Sequence, residues 1–161
     1  MLFLGCVMAA VVVVTLPWAI VSMFQKSTKR GQKIAIGVSL LALLILIFLP
    51  LVDVLLGQFN GLTIIKSLFD NSFGDIVELL GGSELVPLLF AVLLFAPVIS
   101  MGISSFYKNG GTIGGVLMLC AAMWLLYVIS AMHFVKVGVG TYLYALCAVL
   151  SCFTPLINEK E

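Results

Sequence analysis

Apolar residues run through this chain in long blocks, and polar residues are confined to the gaps between them. Five blocks reach the roughly 20 residues needed to cross the hydrocarbon of a bilayer as a helix: Leu2–Phe24, Ile34–Leu56, Leu85–Tyr107, Thr112–Phe134 and Gly138–Ile157. The fifth is shorter and carries Pro155 near its end; a four-span arrangement would leave the first or last block at the interface. Backbone groups in lipid must be satisfied internally, so blocks of this length predict helices. Barrel strands would be about half as long and would alternate. The expected fold is therefore all-α, a single polytopic bundle over residues 1–161.

The longest gap, residues 57–84, has a different pattern. Leu62, Ile65, Leu68, Phe69, Ile76, Leu79 and Leu80 recur at helical spacing, with Lys66, Asp70, Asp75 and Glu78 between them. Glycines at 57, 61, 74, 81 and 82 punctuate the stretch. The spacing predicts two short amphipathic helices, over about 61–71 and 74–81, with Asn60 and Ser72 as caps. Such a segment, tethered at both ends, can cap the bundle mouth or present a recognition face.

Composition strengthens the membrane reading. Hydrophobic residues make up 63% of the 161 and charged residues 9%, against about 25% charged in a soluble domain. With mean hydropathy +1.28, the chain cannot cover itself with a polar surface, and lipid is the expected solvent. The net charge of +1 says little, but its distribution sets an orientation. Lys26, Lys29, Arg30 and Lys33 cluster between the first two blocks. Placing them in the cytoplasm puts the N-terminus outside and the C-terminus inside, in a cytoplasmic (inner) membrane. Lys108 and Lys160 then also fall inside, and only Lys66 and Lys136 outside. Segment 57–84 is extracytoplasmic in this arrangement. "FLGC" at 3–6 lacks the basic residues and the length that a processed signal peptide needs.

Few residues are candidates for chemistry. Asp53, in "FLPLVDVLL", is the one acid within an expected span, about one turn from its outer end. A carboxylate there is expected to pair with Lys66, Lys136 or His133, or to serve an ion or proton role. His133 is the lone histidine, and reads as a polar group at the end of the fourth span. Cys6, Cys120, Cys147 and Cys152 lie in apolar runs without the spacing of a metal or redox motif, and read as small packing residues. No nucleophile–base set, P-loop or dinucleotide fingerprint appears. No cofactor or metal is expected, no enzyme activity, and no nucleic-acid partner. A transporter would be expected to show internal repeats, and none is evident.

Packing signals are clearer. In "GGTIGGVLMLCAAMW", Gly110 with Gly114 and Gly111 with Gly115 form overlapping G-x-x-x-G pairs, and Ala122 extends the small face. Thr141, Ala145, Ala148 and Cys152 repeat similarly in the fifth block. Small residues let helix backbones approach closely in lipid, so these two faces are expected to pack together; the glycines could instead build a homo-oligomer. Pro97 is expected to kink the third span above Ser100, Gly102, Ser104 and Ser105, which would glue helices or line a narrow cavity. "LLALLILIFL" in the second block is bulky throughout and is expected to face lipid. Trp18, Trp124, Tyr107, Tyr127, Tyr142 and Tyr144 supply residues for an interface belt.

"FLPLVDVLLGQFNGLTIIKSL", followed much later by "GVGTYLYALCAVL", resembles a loose group of small uncharacterised bacterial multispanning membrane proteins. In these a span ends in a Leu-Pro motif, an outer segment follows with an "NG" turn, and a later span opens with a glycine-rich, aromatic turn. The resemblance covers roughly residues 34–157. It implies a bacterial envelope protein and no particular activity. The expected role is an interaction or accessory subunit, or an immunity-type protector, bound in the lipid bilayer and using segment 57–84 to recognise a protein partner. The alternative is a small oligomeric channel or transporter component.

Overall fold

A computed structural model describes residues 2–25, 27–54, 57–63, 66, 94–131 and 135–157. It is mostly helical: α1 (Leu2–Met23), α2 (Lys29–Phe48), α3 (Ala96–Phe106), α4 (Gly110–Ala131) and α5 (Val139–Cys152), with a 3₁₀ turn at Thr154–Leu156. Two helices, α2 over Lys29–Phe48 and α4 over Gly110–Tyr127, are long and apolar enough to cross a membrane. Asp70, Asp75, Glu78, His133 and the Ser72 cap lie outside the described residues, as does the expected helix over 74–81.

A three-stranded antiparallel sheet corrects the purely helical expectation. Its strands are β1 (Pro50–Val54), β2 (Gly57–Asn60) and β3 (Val135–Val137), in the order β2-β1-β3. The second apolar block therefore leaves the helix at Phe48, and Asp53 stands in a strand. The cause is local. Pro50 disfavours helical backbone at the residue before it, and Leu49 is extended at φ −94°, ψ 145°. Pro50 itself takes the first position of the central strand, where its missing N–H is tolerated. A register irregularity between Pro50 and Val52 marks a bulge at Leu51.

The start of α2 also differs, since the helix takes in Lys29, Arg30 and Lys33. Cations at a helix N-terminus oppose its dipole. Thr28 compensates in part by capping: its hydroxyl accepts the Gly31 N–H at 3.1 Å. The same hydroxyl donates to the Ile157 carbonyl at 2.8 Å, which ties residue 157 to the α1–α2 connection. Trp18 lies obliquely against Phe153, ring centroids 6.2 Å apart. Residues 27–33, 107–110 and 153–157 thus share one end of the bundle, and the sheet caps the other.

The bundle interior is lined with small residues. Gly31, Ala35, Ser39, Ala42, Ile45 and Leu46 form the buried stripe of α2. This corrects the reading of "LLALLILIFL" as wholly outward: Leu40, Leu41 and Leu44 are exposed, while Ala42, Ile45 and Leu46 join the core. The signal was present as Gly31, Ala35 and Ser39 at four-residue spacing. Ser39 and Ser100 hydroxyls meet at 2.9 Å between α2 and α3, and Ser104 donates to the Ser100 carbonyl. Gly102 has open space beside it and Ser105 is exposed. Ser100 therefore bonds across to α2, whereas Ser104 and Ser105 bond to carbonyls within α3, and Pro97 itself sits in the first turn of α3.

α4 packs along both α3 and α5, and its two glycine pairs are divided between them. Gly110 lies against the Ile103 carbonyl, and Gly114 against Ser100 of α3. Gly111 lies against the Thr154 hydroxyl, and a β-carbon at Gly115 would come within 2.7 Å of the Cys152 N and Sγ. Ala122, Thr141, Ala145, Ala148 and Cys152 are all buried. Both glycine faces are occupied within the chain. Cys147 packs in the core with Cys152, whereas Cys120 is exposed and does not.

Candidate functional site

The sheet-capped end gathers the polar candidates that the described residues contain. Strand alternation sorts their side chains. Phe59, Val52 and Val137 form one cross-strand row and pack on the core. The next row, Gln58–Asp53–Lys136, therefore projects away from the bundle; Gln58 and Lys136 are exposed and Asp53 is half-buried. Asp53 and Lys136 stand directly opposite each other, where side chains of opposite charge attract by roughly 0.2–1 kcal/mol. Of the expected partners of Asp53, the register places Lys136 across from it, and His133 lies outside the described residues. Asp53 Oδ1 is nevertheless shut from solvent without a hydrogen-bond partner.

Two local devices hold this platform. Asn60 ends β2 and caps the turn that follows: its Oδ1 accepts the Thr63 N–H at 2.9 Å and the Thr63 hydroxyl at 2.7 Å. Residues 61–63 are helical, as the periodicity predicts, and Lys66 is exposed. At the other seam, the Leu51 carbonyl accepts both the Gly138 N–H at 2.9 Å and the Thr141 hydroxyl at 2.8 Å. A β-carbon at Gly138 would fall on the Pro50 carbonyl, and one at Gly140 would lie 2.7 Å from the same oxygen. The stretches "FLPLVDVLL" and "GVGTYLY" are therefore in direct contact. The "GVG" seat admits the α5 N-terminus against the β1 backbone, and Thr141 locks it there.

Beneath the sheet lies a second feature, one that sequence reasoning missed. Tyr144 is not at the surface with the exposed Tyr107, Tyr127 and Tyr142; it is 3% exposed. It lines a half-open cavity with Leu46, Leu51, Leu125 and Trp124. Its placement four residues before Ala148 on the buried α5 stripe was the available signal. Among the described residues no group of three His, Cys, Asp or Glu side chains comes together to hold a metal. Compared with protein families, curated proteins and solved structures, the chain matches none.

Proposed function

We propose that the chain is a multi-pass protein of a bacterial inner membrane, with five spans, the N-terminus outside and the C-terminus inside. It acts without catalysis of its own, as an accessory subunit or immunity-type protector. The sheet and the rest of segment 57–84 form its recognition face. The observation that carries this reading is the outward row Gln58–Asp53–Lys136, held on a platform that is seamed to α5. A polar row on a hydrogen-bonded sheet at one end of the bundle is suited to meeting a partner.

Two experiments test it. Single cysteines at positions 27 and 71, in a cysteine-free background, are expected to label from opposite faces of intact cells, position 71 from outside. Labelling of position 27 by an impermeant reagent, with position 71 protected, would reverse the orientation. The second experiment changes Asp70, Asp75 and Glu78 together to Asn or Gln. Folding should shift by no more than about 0.5 kcal/mol. Co-purification of the partner from mild detergent should fall, most at low salt, because exposed charges steer encounter. Undiminished partner recovery in the triple variant would remove the recognition face.

A further inference from the structure

The end of the bundle opposite the sheet concentrates positive charge. Lys29, Arg30 and Lys33 are exposed on the opening turns of α2, and Lys108 is exposed just before α4. Among the described residues the one acid is Asp53, which stands in the sheet at the other end. Contacts with residues 154–157 bring the two basic stretches together. Thr28 caps α2 and donates to the Ile157 carbonyl at 2.8 Å. Thr154 lies between the first turns of α2 and α4: a β-carbon at Gly31 would come 2.7 Å from its carbonyl oxygen, and one at Gly111 would fall on its hydroxyl. The cations of both stretches therefore border one seam.

Left alone, this arrangement is unfavourable. Three cations stand at the end of α2 where the helix dipole is already positive, and no acid occupies the first turn. The Thr28 cap satisfies the Gly31 N–H and leaves those of Lys29 and Arg30 without an intrahelical acceptor. A negatively charged group at this end would turn each of these repulsions into an attraction. Aromatic residues narrow the kind of anion. Phe24 follows the end of α1, and Phe106 and Tyr107 close α3, at the same end of the bundle. Phe24 is 88% exposed, Phe106 85% and Tyr107 66%. Apolar rings so bare are favoured where hydrocarbon surrounds them. A soluble anion would neutralise the cations and leave the rings in water. A phospholipid with a negatively charged headgroup answers both, with its phosphate for the cations and its acyl chains for the rings.

We propose that this end of the bundle binds an anionic phospholipid, with Lys29, Arg30, Lys33 and Lys108 attracting the headgroup and Phe24, Phe106 and Tyr107 against the chains. Such a site prefers one headgroup over another, which the orientation of the chain does not by itself require. The proposal rests on the membrane-embedded reading, which alkaline carbonate extraction reads separately. Release of the chain from membranes would sink that reading, whereas a retained chain without headgroup preference would sink the proposal alone.

The test places the full chain in nanodiscs of phosphatidylglycerol and phosphatidylcholine, equal in amount and alike in their acyl chains. The lipid that the protein retains is read by native mass spectrometry. Wild type should retain phosphatidylglycerol in preference. Arg30→Gln and Lys33→Gln should each lower that preference about fivefold, since a cation near an anionic headgroup contributes about 1 kcal/mol. Arg30→Lys, which keeps the charge, should keep most of it. Melting separates binding from folding. In nonionic detergent the double variant Arg30→Gln/Lys33→Gln should be at least as stable as wild type, because it removes cations from the positive end of α2. Added phosphatidylglycerol should raise the melting temperature of wild type, and that of the double variant much less. Equal retention of the two lipids by wild type, or an unchanged preference in the double variant, would overturn the proposal. So would inorganic phosphate, if it stabilised wild type as much as phosphatidylglycerol does. Glu159 and Glu161 follow Ile157 in the chain and lie outside the described residues. A preference that emerges only in Glu159→Gln/Glu161→Gln would give the cluster to the chain's own tail and equally overturn it.

Discussion

Gly114→Ala should destabilise the protein in detergent by about 3 kcal/mol, the upper end of the usual cost of overpacking. The added methyl would fall on the Ser100 side chain and 2.9 Å from its Cα. Ser100 cannot simply turn aside, because its hydroxyl is committed to Ser39 at 2.9 Å and both residues are fully buried. Relief therefore requires α3 to move away from α4, which opens the α2–α3 contact as well. Gly114→Leu and Gly115→Leu should be worse still. The control lies in neighbouring helices: at Gly102 on α3 and Gly37 on α2, a β-carbon would have no atom within 4 Å. Gly102→Ala and Gly37→Ala should be neutral, or stabilising by up to about 1 kcal/mol through helix propensity. Reversible unfolding of the variants at 114 and 115 against these controls measures the difference. Equal stability of Gly114→Ala and Gly102→Ala would show that α3 and α4 do not meet at this face.

The seam between β1 and α5 should be nearly as sensitive. A methyl at Gly138 would meet the Pro50 carbonyl and lie 2.8 Å from the Leu51 carbonyl carbon. These are backbone atoms, with no rotamer through which to yield, so Gly138→Ala should cost about 2–3 kcal/mol. The hydrogen bond at the same place is separable. Thr141→Val keeps the shape and loses the donor to the Leu51 carbonyl, and should cost about 1 kcal/mol. Thr141→Ser restores the donor and should recover most of that. The Gly138 N–H still reaches the Leu51 carbonyl in the valine variant, which keeps its effect modest. Limited proteolysis reads the seam directly: the chain around β1 and β2 should be cut faster in Gly138→Ala than in wild type. Indistinguishable Val and Ser variants at 141 would mean that the hydroxyl contributes nothing to the seam.

Much of the helical framework was legible from local chemistry. The apolar blocks foretold α1 and α4 to within a few residues, and α5 apart from its last turn. Helix-forming runs between glycine and proline breaks are recognisable without knowing their neighbours. The Asn60 cap was legible for the same reason, as a side chain answering an N–H three residues on. The strand at Pro50–Val54 was not. Its residues are as apolar as those of the helix before it, and nothing nearby reveals that β3, far along the chain, will supply its hydrogen bonds.

The amino-acid sequence by itself determined the long apolar helices and the close-packing glycines, since hydrophobicity and residue size are properties of each position. The tertiary structure alone decided which neighbour each glycine pair meets, that Asp53 stands across from Lys136 in the sheet, and that Tyr144 and Trp124 line one cavity. Those are relations between distant residues, set by strand register and helix rotation, and a one-residue turn of α5 would undo them without altering its hydrophobicity.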